Sequence, residues 1–501
     1  MNIETMSELY AARLTDESRM TGFCETFSVP SSIEELQQIA RAMWAQGVPV
    51  TVQGAMTGIC GCAVPAGGHV ISTEKLNRII CHRKDGERYF VTLEPGVRLS
   101  ELLAYCSRNS AEFDGRTYLP NPSEKLAAFG GMFSCNAKGI NSLLHGDTVG
   151  AVNGLKMLLT NGTSLEIRRG EYVFDDNGCD MPELGRLEIN NLPKSGCGAK
   201  GMAFAHSSCD LIDVVGGSEG MLAIVTELEL ELKKPASELW GTMFFFADKQ
   251  SALDFAEKAM GQFENKGSAA VSLAAVEYLD AYSMALVNEY KKEVALLKAL
   301  PDFLLHAKGA IYLELEGNCT DETEANLTLL LNLFASCGGD EADTWAGVGE
   351  EEVEKFRLFR HAVPEAVNSE IDKARQSDRR ITKLCTDLEI PSLRISEAEG
   401  LYSSLLSEYG LNGAIFGHAG SKRLHFNIIS GDYTDYENGK HLIADLIRKL
   451  AEVDNCITWE NGIGKTKHEF FNLLSDQRRA AAKTIKLFFD EKGLLNPSNM
   501  L

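Results

Sequence analysis

Between Ser31 and Trp44 the apolar residues Ile33, Leu36, Ile39, Met43 and Trp44 recur at helical spacing, which predicts a helix with one buried face. Ser32 followed by Glu35 adds a capping-box signature at its start. Pro49-Val50-Thr51-Val52 reads as a buried strand and runs into Gln53–Gly61, a loop with three glycines. Short β-rich runs follow, Val70-Ile71-Ser72 and Tyr89 to Leu93, broken by Gly and Pro turns. Gly154 to Leu159, with its Asn161-Gly162 turn, and the alternating stretch Ile224 to Leu232 predict two more strands. Lys233-Lys234-Pro235 then marks a boundary. Beyond it, strand-like Thr242 to Phe246 and Ala310 to Leu315 alternate with helical Ala252 to Phe263 and Glu322 to Ala335. The pattern predicts an α+β protein with domains at 1–235 and 236–455 and a C-terminal segment at 456–501. There is no repeat of fixed period and no low-complexity tract.

Composition narrows the classes. A chain of 501 residues is too long for one core. No apolar run approaches the ~18 residues needed to span a bilayer, and Met1-Asn2-Ile3-Glu4-Thr5 resembles no signal peptide, so a cytoplasmic location is expected. A net charge of −22 argues against a nucleic-acid partner, and any anionic ligand must be held locally. The 13 cysteines are odd in number and scattered, as expected for free thiols in a reducing compartment. None of their spacings fits an iron–sulfur cluster, so a protein of this kind that handles electrons needs another carrier nearby.

Two features carry candidate chemistry. Three glycine-rich segments, Gln53–Gly61, Pro120–Gly139 and Asp213–Leu222, suit backbone-amide nests that hold a phosphate without a cationic side chain. The first is not a G-x-G-x-x-G element and opens no helix, which disfavours a Rossmann fold. The second feature is the pair His418 and His425, seven residues apart across a Gly-Ser-Lys-Arg turn, together with Glu460. A strand, turn and strand would bring both imidazoles to one end of a sheet, and a His/His/carboxylate set suits a metal site with open positions. The competing reading is two unrelated structural histidines.

The order of these motifs resembles the FAD-linked oxidases and dehydrogenases of the vanillyl-alcohol oxidase/p-cresol methylhydroxylase (PCMH) type. It looks most like the D-lactate, glycolate and D-2-hydroxyglutarate dehydrogenases. The matching pieces are Gln53–Gly61, Pro120–Gly139, Gly217-Ser218-Glu219-Gly220, Lys383–Pro391, Gly417-His418-Ala419-Gly420, Asn461-Gly462-Ile463-Gly464 and Gly493-Leu494-Leu495-Asn496-Pro497. The resemblance implies a PCMH-type FAD-binding domain of two α+β subdomains, an α+β cap with an antiparallel sheet, and a C-terminal segment returning to the FAD domain. By similarity Gln53, Gly54, Ala55, Met56, Thr57, Gly58, Pro120, Gly130, Gly131, Ser134, Asn136, Gly139, Glu219, Ile224 and Asn496 would bind FAD. No histidine occupies the first loop, so the flavin is expected to be non-covalent. His418, His425 and Glu460 would hold Zn²⁺, Mn²⁺ or Fe²⁺, and Arg360 would pair with a substrate carboxylate unless it lies on a solvated helix face.

The chain departs from the family in two places. Relatives carry Asp-Gly-Asn between the histidines, where this chain has Ser421-Lys422-Arg423; these cations would receive a second acidic group or face solvent. Relatives also follow the glutamate with a histidine that takes the hydroxyl proton, where this chain has Asn461. Asparagine cannot serve as a general base near neutral pH, although it can position a substrate oxygen. With Asn461, Glu460 and Arg360 as the catalytic set, the expectation is an FAD-dependent dehydrogenase of a small 2-hydroxy acid. Its electrons would pass to an electron-transfer flavoprotein or a quinone, and a homodimer is compatible. The alternatives are a flavin-binding subunit of a redox complex with altered or lost hydroxy-acid activity, and an enzyme of changed chemistry such as alcohol or amine oxidation.

Overall fold

The computed structural model describes residues 3–194, 198–264, 271–298, 300–453 and 457–501. They form two compact units: Met1–Gly139, Gly146–Pro235 and Glu460–Leu501 in the first, Ile140–His145 and Ala236–Trp459 in the second. The chain returns to the first unit after Trp459, and the domain limit expected at 455–456 falls outside the described residues.

In the first unit Ser32 caps the helix Ile33–Gln46 by accepting from Glu35 N at 3.2 Å. The reciprocal arm reaches one residue further back than a standard capping box, because the Glu35 carboxylate accepts from Ser31 N at 3.0 Å. Leu36, Ile39, Ala40 and Met43 pack the buried face against Val50, Ile71, Leu158 and Ile224. Strands β1 (Glu4–Thr5), β2 (Thr26–Ser28), β3 (Val50–Gln53) and β4 (His69–Ser72) form a sheet of order β1-β2-β4-β3, parallel except for β1. A second sheet contains β5 (Ile79–Asp85), β6 (Arg88–Leu93), β7 (Val152–Leu158) and β8 (Ser164–Arg168), while β9 (Gly178–Met181) and β10 (Gly185–Glu188) form a separate pair. Its central member is β11 (Ile224–Leu232), giving the antiparallel order β5-β6-β11-β7-β8. Gly130 and Gly131 lie in a short helix, Phe129–Ser134. A Cβ on Gly130 would stand 2.7 Å from Pro95 Cβ, so close packing overrides the poor helix propensity of glycine.

The second unit is built on a seven-stranded antiparallel sheet. Its strands are β12 (Glu238–Phe246), β13 (Val271–Asp280), β14 (Gly309–Gly317), β15 (Thr344–Val348), β16 (Leu384–Thr386), and, beyond the short β17 (Leu388–Glu389), β18 (Asn412–His418) and β19 (His425–Ile429). Their order is β15-β12-β14-β13-β18-β19-β16, and β17 pairs with β20 (Thr458–Trp459). The helix Glu350–Ser377 lays Phe359, Val363, Ala366 and Val367 into a core with Met243, Phe245, Leu279 and Phe416. Ile140 is buried in the same core, and Asn141 donates to Glu314 Oε2 at 2.6 Å, which draws residues 140–145 into this unit. Among the described residues no helix is long and apolar enough to cross a membrane.

Candidate active site

The first unit gathers most of the residues expected to hold a cofactor. The Gln53 side chain donates to Arg13 O at 2.7 Å and Ala63 O at 2.8 Å, closing the first loop on itself. Its buried Oε1 makes no hydrogen bond among the described residues. A Cβ on Gly54 would lie 3.3 Å from Ala128 Cβ and 3.8 Å from Gly131 N, so the first two glycine-rich segments face each other. Gly58 and Gly131 border open space, with no atom within 4 Å of their Cβ positions. Between Ala55 and Thr57, Met56 is left-handed at φ +58°, the kind of backbone conformation from which amide nests are built. This cradle fits a phosphate-bearing ligand.

Other residues tie the cradle together. Gly139 passes so close to Asn121 that its Cβ would fall 1.8 Å from the carbonyl oxygen, just after buried Pro120. Asn136 is left-handed and engaged by Asp147 Oδ2 and Val149 N. Ser134 O accepts from Glu219 N at 2.7 Å, and the Glu219 carboxylate accepts from Ile463 N at 2.6 Å and Gly464 N at 3.0 Å. Burial pushes the Glu219 carboxyl above its usual range, although these amides and nearby lysines oppose the shift. Asn496 donates to Glu219 O at 2.8 Å and accepts from Val52 N at 2.9 Å. Ile224 stands apart from this knot, opposite Leu158 in the core beneath the Ile33–Gln46 helix.

In the second unit β18 and β19 pair with Phe416 opposite His425, and the turn between them includes left-handed Lys422. His418 and His425 meet edge to face, their ring centroids 5.5 Å apart. A side chain at Gly417 would strike the His425 ring, its Cβ 2.5 Å from Cδ2. The register of β13 sets Glu277 opposite His418. Glu277 Oε1 lies 2.5 Å from His418 Nδ1, and Oε2 accepts from Arg360 Nε, also at 2.5 Å. Glu277, Arg360 and His418 are 1, 4 and 4% exposed, so Arg360 does not lie on a solvated helix face. Burial alone would raise the Glu277 carboxyl, but His418 and Arg360 outweigh it and hold it below the usual range. Arg360 stacks over Phe416 at 4.9 Å, and its Nη atoms make no hydrogen bond among the described residues.

Of the two cations in the histidine turn, Lys422 is exposed and Arg423 is buried against Glu389 at 3.2 Å. Glu389 belongs to β17, so its partner β20 runs beside that turn. Glu460, buried, and Asn461, half-buried, are the next two residues of the chain after β20. Glu277 was not among the residues singled out from the sequence. Its signal is a lone carboxylate within the apolar run Val271 to Leu279.

Residues 25–168 match the family model for an FAD binding domain, and residues 243–500 match the C-terminal domain of FAD linked oxidases. The chain belongs to the FAD-linked oxidases. This FAD-linked oxidase is 26% identical to the glycolate oxidase subunit GlcD of Bacillus subtilis, covering 94% of this chain and 87% of that protein. It is 25% identical to a D-lactate dehydrogenase of Anaerostipes hadrus, over 94% and 88% of the two chains. To the mitochondrial D-2-hydroxyglutarate dehydrogenase of Arabidopsis thaliana it is 24% identical, over 100% and 79%. Its fold is that of p-cresol methylhydroxylase solved with substrate bound, with a TM-score of 0.67 at 13% identity over 100% of this chain and 93% of that one. The FAD-binding match contains the first two glycine-rich segments, whereas Glu219, Ile224 and Asn496 lie beyond it.

Proposed function

We propose that this FAD-linked oxidase is a dehydrogenase of small 2-hydroxy acids that passes electrons to a separate acceptor, such as an electron-transfer flavoprotein or a quinone. The observation that carries the reading is one buried carboxylate, Glu277, joining an arginine to a histidine of a histidine pair. The names borne by the relatives, glycolate oxidase subunit and D-lactate dehydrogenase, support the substrate class.

FAD supplies the hydride acceptor, and the amides of the first two glycine-rich segments would hold its phosphates non-covalently. With Nε committed to Glu277, Arg360 offers its Nη edge to a substrate carboxylate, the planar geometry that such a group prefers. His418, His425 and Glu460 are the proposed ligands of a divalent Zn, Mn or Fe ion, which would act as a Lewis acid on the hydroxyl. The donor set suits mixed nitrogen and oxygen coordination. The carboxylate on His418 Nδ1 is also the usual outer partner of a metal-bound imidazole. Asn461 would orient the hydroxyl by hydrogen bonding without taking its proton.

Anaerobic stopped-flow mixing with glycolate and with the D- and L-forms of lactate and 2-hydroxyglutarate tests the proposal. Bleaching of the oxidised flavin band by at least one of them is expected. If none reduces the flavin, the second reading takes over: a flavin-binding subunit of a redox complex, which Asn461 and the subunit status of the Bacillus relative favour.

A further inference from the structure

We infer that Pro364 is a positioning residue that sets the angle at which Arg360 meets a substrate carboxylate. The inference rests on the hydroxy-acid dehydrogenase reading and deepens it.

The helix Glu350–Ser377 runs unbroken through Pro364. In an α-helix the N–H of residue 364 donates to the carbonyl of residue 360, and proline has no N–H to give. The one helical bond that Pro364 removes is therefore the bond to Arg360 O. Its ring also crowds that same carbonyl, which presses the peptide between Arg360 and His361 away from its ideal place. Proline is the least favourable residue for a helix interior, and Pro364 is only half-buried, so core packing is a weak reason for it. Its effect falls on the arginine of the site.

The two arms of the helix are fastened separately. Before Pro364, Arg357 donates to Glu314 at 2.8 and 2.7 Å, and Phe359 is a core residue. After it, Ala366, Val367 and Ile371 enter the same core, and Asn368 accepts from Lys383 Nζ at 2.9 Å. Pro364 is the joint between these arms, so it decides where the Arg360 backbone stands over the sheet. The far end of the side chain is held by that sheet, with Nε on Glu277 and the guanidinium 4.9 Å over Phe416. With both ends set, the Nη edge has one direction, and bidentate capture of a carboxylate depends on direction.

Pro364→Ala supplies the missing N–H in the residue of best helix propensity. Arg360 O then gains its helical donor, and the Nη edge turns while Nε stays on Glu277. Substrate binding weakens while the helix itself is strengthened, a combination that lost packing does not produce.

The test uses the flavin-loaded protein and anaerobic flavin reduction by the best hydroxy acid of the panel, read as a half-saturating concentration and a limiting rate. In P364A the half-saturating concentration should rise about 10-fold while the limiting rate stays within about 2-fold. Flavin content should be unchanged and the melting temperature equal or higher. R360K keeps the charge but loses the planar fork, so adding P364A to R360K should raise the half-saturating concentration no further. A wild-type half-saturating concentration in P364A overturns the inference alone, as does a rise accompanied by a lower melting temperature or lost flavin. A further rise on adding P364A to R360K also overturns it. If no hydroxy acid reduces the wild-type flavin, the dehydrogenase reading falls and the inference falls with it.

Discussion

Gly464 donates its amide to both carboxylate oxygens of Glu219, each at 3.0 Å. Glu219 also accepts from Ile463 N, so it anchors the C-terminal segment onto the knot that includes Ser134 and Asn496. Gly464 has no substitute here: its φ is +54°, and a Cβ would fall 2.1 Å from Cys60 O. Glu219→Ala leaves two buried amides without an acceptor, at about 1–3 kcal/mol each, whereas Glu219→Gln keeps one acceptor oxygen and should cost about half as much. Thermal unfolding of both variants, with flavin content as a second readout, checks the order. Equal melting temperatures for wild type and E219A would contradict it.

The contrast between Ile224–Leu232 and Glu277 shows what the sequence could reveal. The strand Ile224–Leu232 has the predicted limits, and Ile33–Gln46 forms with its N-cap at Ser32, because period and capping are local properties. Glycine spacing likewise marked Gln53–Gly61, of which residues 54–61 form the loop that follows β3. Glu277 was hidden because its meaning comes from register: it meets His418 141 residues away, through the pairing of β13 with β18. For the same reason no periodicity indicated that residues 140–145 join the second unit, since Asn141 is recruited by a glutamate on β14.

Asp280 makes part of the protein's stability depend on pH. It caps the helix Ala281–Tyr290 by accepting from Ser283 N at 2.8 Å, and burial pushes its carboxyl from 3.8 up to about 7. With the folded value above the unfolded one, the protonated form favours the native state. Its stabilising effect is complete below pH ~4 and is lost as pH rises toward 7, amounting to about 4 kcal/mol at most. Asp280→Asn keeps a cap acceptor without the charge. The stability of D280N relative to wild type should therefore rise between pH 4 and 7 and level off above, as measured by melting temperature. A pH-independent difference would rule this out.

On the proposed 2-hydroxy-acid reading, Asn461 is expected to limit the rate, because it cannot take the hydroxyl proton. Asn461→His supplies a group that titrates near neutral pH, and a positioned base contributes about 10²–10⁴-fold. Flavin reduction by the best hydroxy acid of the panel should accelerate by about 100-fold or more in the variant, with flavin content unchanged. If the rate does not move, another group takes the proton or the substrate belongs to another class.

Glu314 is a buried carboxylate of the second unit that gathers four hydrogen bonds. It accepts from Arg357 Nε at 2.8 Å and Nη2 at 2.7 Å, from Tyr312 OH at 2.7 Å and from Asn141 Nδ2 at 2.6 Å. Neither Glu314 nor Arg357 is more than 6% exposed, and Arg357 keeps the exposed Glu350 carboxylate at 2.8 Å on Nη1, so removing the negative charge of Glu314 leaves a buried guanidinium partly compensated, at the lower end of the about 3–5 kcal/mol typical of a broken buried pair. Glu314→Gln should therefore destabilise the protein by about 3 kcal/mol, and the amide must turn one N–H toward a donor, either Arg357 or Asn141. Because Asn141 fastens residues 140–145, limited proteolysis of E314Q should cut near that segment faster than wild type. Replacing both partners, Glu314→Leu with Arg357→Met, removes the stranded charge and should recover most of the melting temperature. If the double variant unfolds as readily as E314Q, the loss comes from the shape of the site and not from its charge.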